Sequence, residues 1–149
     1  MKVKECMCTN VYCATPDTTV TNIAKIMNEK HVGCVPVCDN NKNLCGIITD
    51  RDIILRTIAC NKDVNTTPAS EVMTTKVWTC TQDEEIENAQ NKMANNQIRR
   101  LPVCDTNNHV IGMITLGNLA QNWNEIGRVQ VSETIGDICK CGNQTKNAE

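Results

Sequence analysis

The apolar and polar positions of the 149-residue chain follow a pattern that runs through once and then again. A short extended stretch, Val11-Tyr12-Cys13, leads into apolar residues at Val20, Ile23 and Met27, the spacing of an amphipathic helix. "CVPVC" then forms a short strand, and its Pro36 suits a strand start or an edge. The Asp- and Asn-rich "DNNKN" makes a turn, and "LCGIIT" returns as the second strand of a hairpin. After Thr49 a second helix runs from Asp50 to about Ala59. The same order recurs as Val77-Trp78-Thr79, then Ile86, Ala89 and Met93, then "LPVC", "DTNNH" and "VIGMIT", then a helix from Leu116 to about Asn124. The pattern predicts an α+β fold: two pseudo-symmetric β-α-β-β-α repeats, each a small sheet packed against two helices. Asp17 and Asp83 stand where the N-caps of the first helices belong.

Laying residue n over residue n+66 needs no gap across about fifty positions, and about a third of them are identical. The identities include Glu5/Glu71, Met7/Met73, Pro36/Pro102, Asp39/Asp105, Gly46/Gly112 and Thr49/Thr115. This period is too long for a short-repeat solenoid, so two copies imply a paired unit. The organisation expected is a first repeat over 1–60, a linker over 61–70 broken by Pro68, a second repeat over 71–125 and a tail over 126–149. Within the tail, "VQVSETIGDI" can pack one apolar side, and the end beyond it is expected to be solvated and disordered.

The join "TDRD" puts three charges where a strand passes into a helix. Thr49-x-x-Asp52 has the spacing of a capping box with Asp in place of Glu, and Asp50 suits the helix dipole. The same physics can serve a ligand. Free N–H groups at a helix start can hold a phosphate, and an acid beside them can accept from ribose hydroxyls, as in dinucleotide sites. Neither GxxxxGK[ST] nor GxGxxG occurs, so a nucleotide site here is of another type.

Two β-α-β-β-α copies carrying "HVGCVPV", "GIITDRDI" and "IRRLPV" resemble a tandem pair of CBS domains, a Bateman module, over residues 5 to about 124. In layout the chain is similar to small stand-alone bacterial CBS-pair proteins. The resemblance implies a regulatory module binding an adenosyl compound in the cleft between the repeats: AMP, ADP or ATP, with S-adenosylmethionine as a further candidate. No cofactor is required. By position, Thr49 and Asp52 would meet phosphate and ribose in one site, and Thr115 and Asn118 in the other. Arg99 and Arg100 fall where a basic phosphate contact is often placed; the first copy has Gly33 and Cys34 there. Cys13 and Thr15, with Thr79 and Thr81, come from the segments that often meet the adenine. Asn118 carries no charge and Gly117 weakens its helix start, so the Thr49/Asp52 site ranks first. If the arginines reach across the interface, one site draws its acid from the first copy and its cations from the second. The resemblance further implies a homodimer that acts by conformational or oligomeric change, with an unidentified protein partner open. The alternative is an interaction protein whose cleft is vestigial.

Composition narrows these readings. With no Phe, one Tyr and two Trp the core must be aliphatic, and a base-stacking surface for RNA is not expected. A net charge of −2 gives no general attraction to nucleic acid or to an anionic membrane. No apolar run approaches the roughly 20 residues of a membrane span, and the start lacks a secretory h-region, so a cytoplasmic location is expected. Eleven cysteines would be free thiols there. Cys6/Cys8 and Cys139/Cys141 could supply four thiolates to zinc, but C-x-C is not the usual zinc spacing. Cys6 aligns with Val72 and Cys45 with Ile111, so cysteine stands in for aliphatic residues and no metal is expected. With two histidines and neither GxSxG nor HExxH, no catalytic residues and no enzymatic activity are expected.

Overall fold

A computed structural model describes residues 1–140. The first half contains α1 (Val20–Lys30), the hairpin β1 (Cys34–Cys38) and β2 (Leu44–Thr49), then α2 (Asp50–Ile53), which continues as a π-helix over Ile54–Ile58. The second half contains α3 (Ala69–Val72), β3 (Cys80–Thr81), α4 (Ile86–Asn96), the hairpin β4 (Arg100–Cys104) and β5 (Val110–Thr115), α5 (Leu116–Gln121) and α6 (Trp123–Ile126). The tail adds α7 (Arg128–Ile138). Mixed helix and strand, with two small sheets, is the architecture read from the sequence.

The repeats match in detail. Both hairpins are antiparallel, Cys34 facing Thr49 and Arg100 facing Thr115, with a bulge at Val37/Cys38 and again at Val103/Cys104. Each turn is closed by its aspartate: Asp39 accepts from the N–H groups of Asn41 and Asn43, and Asp105 from those of Asn107 and His109. The two tips meet, the Leu44 N–H donating to the Asn108 carbonyl at 3.1 Å. Helices α1 and α4 both end on a left-handed residue, His31 at φ 53° and Gln97 at φ 51°.

The helix starts differ from the expectation. Thr19, not Asp17, caps α1 by accepting from the Asn22 N–H, and α4 starts after Glu85 with no side-chain cap. A turn intervenes in each copy, closed by Thr18 N–H to Thr15 O and by Glu84 N–H to Thr81 O. Asp83 is thereby left to pair with Lys4 at 2.7 Å, which holds its carboxyl below the usual range. The lead strands are also shorter and later than read. Ala14 alone bridges Val37, and Cys80–Thr81 pair in parallel with Val103 and Cys104.

The two cores do not follow the sequence repeats. Val20, Ile23, Val35, Val37 and Ile48 of the first repeat are buried with Ala69 and Val72 of α3. Ile86, Met93, Leu101, Val103, Ile114 and Leu119 are buried with Val3 and Cys6 from the chain start, and with Val131 and Ile138 of α7. Each repeat therefore completes the other's core with its lead segment. Backbone bonds fasten the exchange: Val3 N–H to Glu84 O at 2.9 Å, Cys8 N–H to Met113 O at 2.9 Å, and a reciprocal Ile47–Thr74 pair at 3.0 and 2.9 Å. The tail packs as the sequence allowed, and Gln90 Nε2 on α4 donates to Thr134 Oγ1 on α7 at 3.2 Å. No helix among the described residues is long and apolar enough to cross a membrane.

Gly46 and Gly112 sit beneath the exchanged segments. A Cβ on Gly46 would lie 2.4 Å from Met73 Sδ, and one on Gly112 would lie 2.7 Å from Met7 Sδ. Overpacking of this kind costs about 1–3 kcal/mol. Gly46→Val is therefore expected to lower the urea-unfolding free energy by about that amount. A double-mutant cycle with Met73→Ala should show a coupling of at least about 0.5 kcal/mol, and additive effects would mean that Met73 does not cover this glycine.

Candidate functional site

The capping boxes foreseen at the two strand–helix joins are both made. At the first, the Thr49 hydroxyl accepts from the Asp52 N–H at 3.1 Å, while Asp52 Oδ2 accepts from the Thr49 N–H at 2.9 Å and from its hydroxyl at 3.0 Å. At the second, the Asn118 N–H donates to the Thr115 hydroxyl at 3.2 Å, and Asn118 Oδ1 accepts from Thr115 at 3.0 and 2.7 Å. Capping uses one terminal oxygen of each side chain and leaves one atom over: Asp52 Oδ1 and Asn118 Nδ2. Asp52 Oδ1 lies 3.5 Å from Arg56 Nη2. Arg56 also donates to the Val72 carbonyl at 2.8 Å and to Thr74 Oγ1 at 3.1 Å, so it ties the acid to the exchanged segment. The corresponding residue of the second repeat is Asn122, which bonds the Asn118 carbonyl instead.

Each join opens onto a cleft walled by the other repeat. The first cleft, about 490 Å³, places Thr49 and Asp52 opposite Lys76, Val77, Trp78, Arg99 and Arg100. The second, about 450 Å³, places Thr115 and Asn118 opposite Asn10, Val11, Tyr12, His31, Gly33 and Cys34. Arg99 and Arg100 line both. They stand on the partition because β4 begins at Arg100, beside the first repeat's matching Gly33–Cys34. Arg100 Nη1 donates to the Gly33 carbonyl at 2.6 Å, and that carbonyl also accepts the Asp50 N–H at 3.2 Å. Burial pushes the neighbouring Cys34 thiol up to about 11, against the pull of Arg100.

Of the residues singled out in the sequence, Thr49, Asp52, Arg99 and Arg100 meet in the first cleft, and Thr115 and Asn118 meet the same arginines in the second. Cys13, Thr15, Thr79 and Thr81 line neither cleft. Positions 13–15 and 79–81 are taken up at the sheet edges: the Ala14 N–H donates to the Pro36 carbonyl, and Cys80 and Thr81 pair with β4. The wall comes instead from the two residues before them, Val11-Tyr12 and Val77-Trp78. Tyr12 and Trp78 occupy equivalent positions of the two repeats. Trp78 is 42 % exposed with the Lys76 ammonium 5.7 Å from its ring, and Lys30 lies 4.8 Å from the Tyr12 ring. Two aligned aromatics in a chain nearly without them were the available signal.

Cys6, Cys38, Cys80 and Cys104 are buried in the cores and Cys45 is half-buried, as aliphatic stand-ins would be. Among the described residues no three His, Cys, Asp or Glu side chains gather as metal ligands. Cys141, the last of the four C-x-C thiols, lies outside the described residues. Cys13 is exposed, and interaction with the Cys38 thiol lowers its own to about 7 while that of Cys38 is raised.

The CBS domain model matches residues 3–57 and 69–124, and the chain belongs to the CBS-domain family as a tandem pair. It is 42% identical over 120 residues to the CBS domain-containing protein YhcV of Bacillus subtilis, covering 80% of this chain and 84% of that one. Among solved structures it is similar to the CBS domain pair of protein MJ0100 in complex with 5′-methylthioadenosine and S-adenosyl-L-methionine. The identity there is 27%, the TM-score 0.77, and the coverage 85% of this chain and 98% of that one. It is likewise similar to CBSX2 in complex with AMP, at 26% identity and a TM-score of 0.73, covering 84% of this chain and 97% of that one.

The Cys13 thiolate forms as pH rises through its lowered value, so iodoacetamide should label Cys13 half-maximally near pH 7. Cys34 and Cys80, pushed up to about 11 and about 12, stay unlabelled there. In Cys38→Ala the Cys13 midpoint should return toward the usual thiol value of about 8.5. Peptide mass spectrometry across pH reads all three sites.

Proposed function

We propose that the protein is a ligand-sensing module that binds an adenosyl nucleotide in its first cleft. The observation that carries this reading is the convergence of Asp52, with one carboxylate oxygen beyond the cap, and Arg99 and Arg100 of the other repeat on one open cleft of about 490 Å³. That volume lies within the roughly 300–1,000 Å³ of ordinary small-molecule sites. Asp52 Oδ1 accepts from the ribose hydroxyls, the guanidinium groups meet phosphate oxygens, and the Val77–Trp78 wall covers the base. AMP, ADP and ATP fit this arrangement, and S-adenosylmethionine shares its adenosine part. The adenosyl compounds bound by MJ0100 and CBSX2 support the same class. The ligand acts by population shift, since it touches both repeats and favours the arrangement in which they close on it.

Asp52 opens the helix that carries Ile54, Leu55 and Ile58, which are 55%, 46% and 61% exposed. This aliphatic strip is self-complementary, and a second copy related by a two-fold axis buries it. The homodimer so formed lies one helical turn from the ligand, which lets occupancy change the assembly.

In a thermal-shift series AMP or ATP should raise the melting temperature. Asp52→Asn, which keeps the capping oxygen, and Arg99→Ala should each weaken binding about tenfold, or about 1.4 kcal/mol. No shift with AMP, ADP, ATP or S-adenosylmethionine would sink the sensor reading and favour an interaction protein with a vestigial cleft. Separately, sedimentation should give twice the 16.5 kDa chain mass for the wild type and the single-chain mass for Ile54→Glu/Ile58→Glu. An unchanged mass in that variant would remove the strip from the interface.

A further inference from the structure

The two clefts share a backbone design but present opposite hydrogen-bonding groups to a sugar. In each, the side chain three residues after the capping threonine turns an oxygen to that threonine's N–H. A backbone N–H can only donate, so the atom facing Thr115 is the Asn118 oxygen, and the remaining terminal atom is the nitrogen Nδ2. Asn118 Nδ2 has no hydrogen-bond partner among the described residues. Where the first cleft offers a carboxylate acceptor, the second offers two N–H donors.

The carboxylates follow the same division. The first cleft is lined by Asp50 and Asp52 together with Arg51, Lys76, Arg99 and Arg100. The second has no aspartate or glutamate in its lining, while Arg99, Arg100 and His31 are there. A free ribose diol presents two donors and is best met by an acceptor, which suits Asp52. A phosphate ester on that ribose presents only acceptors and brings charge. Asp52 would repel it, whereas Asn118 and the arginines would bind it. This is the distinction by which dinucleotide sites separate a ribose diol, held by an acid, from a 2′-phosphorylated ribose.

Resting on the reading of these clefts as nucleotide sites, we propose that the second cleft selects a nucleotide whose ribose carries a phosphate at the 2′ or 3′ hydroxyl. The first cleft selects the unmodified diol. One chain then senses two chemically distinct ligands through one pair of arginines.

Calorimetric titration of wild type, Asp52→Asn and Asn118→Asp with AMP, adenosine 2′,5′-bisphosphate and adenosine 3′,5′-bisphosphate tests this. Asn118→Asp should fold, because Asp52 already fills the matching cap. At least one bisphosphate should bind the wild type, bind Asp52→Asn at least as well, and lose at least about tenfold in Asn118→Asp. Which bisphosphate does so identifies the esterified hydroxyl. AMP should show the reverse dependence. If AMP binds but neither bisphosphate does, or if bisphosphate affinity is unmoved in Asn118→Asp, the selectivity is overturned and the first-cleft reading stands. If a bisphosphate behaves as expected and AMP fails to bind, the first-cleft reading falls instead.

Discussion

The exchange of lead segments is the constraint on which the rest of this structure depends. Val3 and Cys6 are buried among second-repeat side chains, and Ala69 and Val72 among those of the first. Neither repeat can bury its apolar face with its own residues alone, so each is held to the other by the same hydrophobic burial that folds it. Met73 over Gly46 and Met7 over Gly112 fix the register, since the strand surface accepts the thioether only where it lacks a Cβ. The clefts inherit this arrangement. The segments that leave the partner's core at Met7 and Met73 run directly into Asn10–Tyr12 and Lys76–Trp78, which wall the site opposite the capping threonine. A cleft with an acid or amide from one repeat and a wall from the other is a consequence of how the cores are completed.

The same geometry makes the two clefts dependent on each other. Arg99 and Arg100 form the partition, and Arg100 is anchored on the Gly33 carbonyl, part of the second cleft's wall. A ligand that draws the Arg100 guanidinium into the first cleft must take it from that carbonyl. Gly33 is also held by the Asp50 N–H at the start of α2, so any shift there is transmitted to the Thr49–Asp52 cap. Because binding free energies are reciprocal, whatever one site does to the other through this contact is returned by the same factor.

The fold was legible because it is set by local rules that occur twice. The 3.6-residue spacing of Val20, Ile23 and Met27, the turn chemistry of Asp39 and Asp105, and the Thr-x-x-Asp/Asn boxes are all short-range, and a second copy confirmed each. The candidate cleft was legible where its lining sits on those same elements, as Thr49, Asp52, Thr115 and Asn118 do. The placement of Arg99 and Arg100 on a partition between clefts, and the exchange itself, depend on contacts dozens of residues apart that no spacing encodes. Cys13, Thr15, Thr79 and Thr81 fall outside the clefts for a local reason. Ala14 and Cys80 enter the sheet, so the wall falls two residues earlier than an extended segment alone suggests. The caps at Asp17 and Asp83 failed likewise, because an extra turn lies between the aspartate and the helix.

The exchange of Asp52 for Asn118 is informative because the cap is made in both copies. Asp52 and Asn118 make the same cap with the same atoms at nearly the same distances, so the backbone exerts no pressure to prefer one over the other. The Arg56 contact to Asp52 is also absent opposite Asn118, where Asn122 turns back to its own helix. Replacing acid by amide therefore keeps the cap, removes the ion pair to Arg56 and changes the atom presented to the cleft. A substitution that keeps the cap and exchanges an acceptor for a donor at a cleft-facing position changes what the cleft offers a ligand. It distinguishes two sites that a symmetric backbone would otherwise make equivalent.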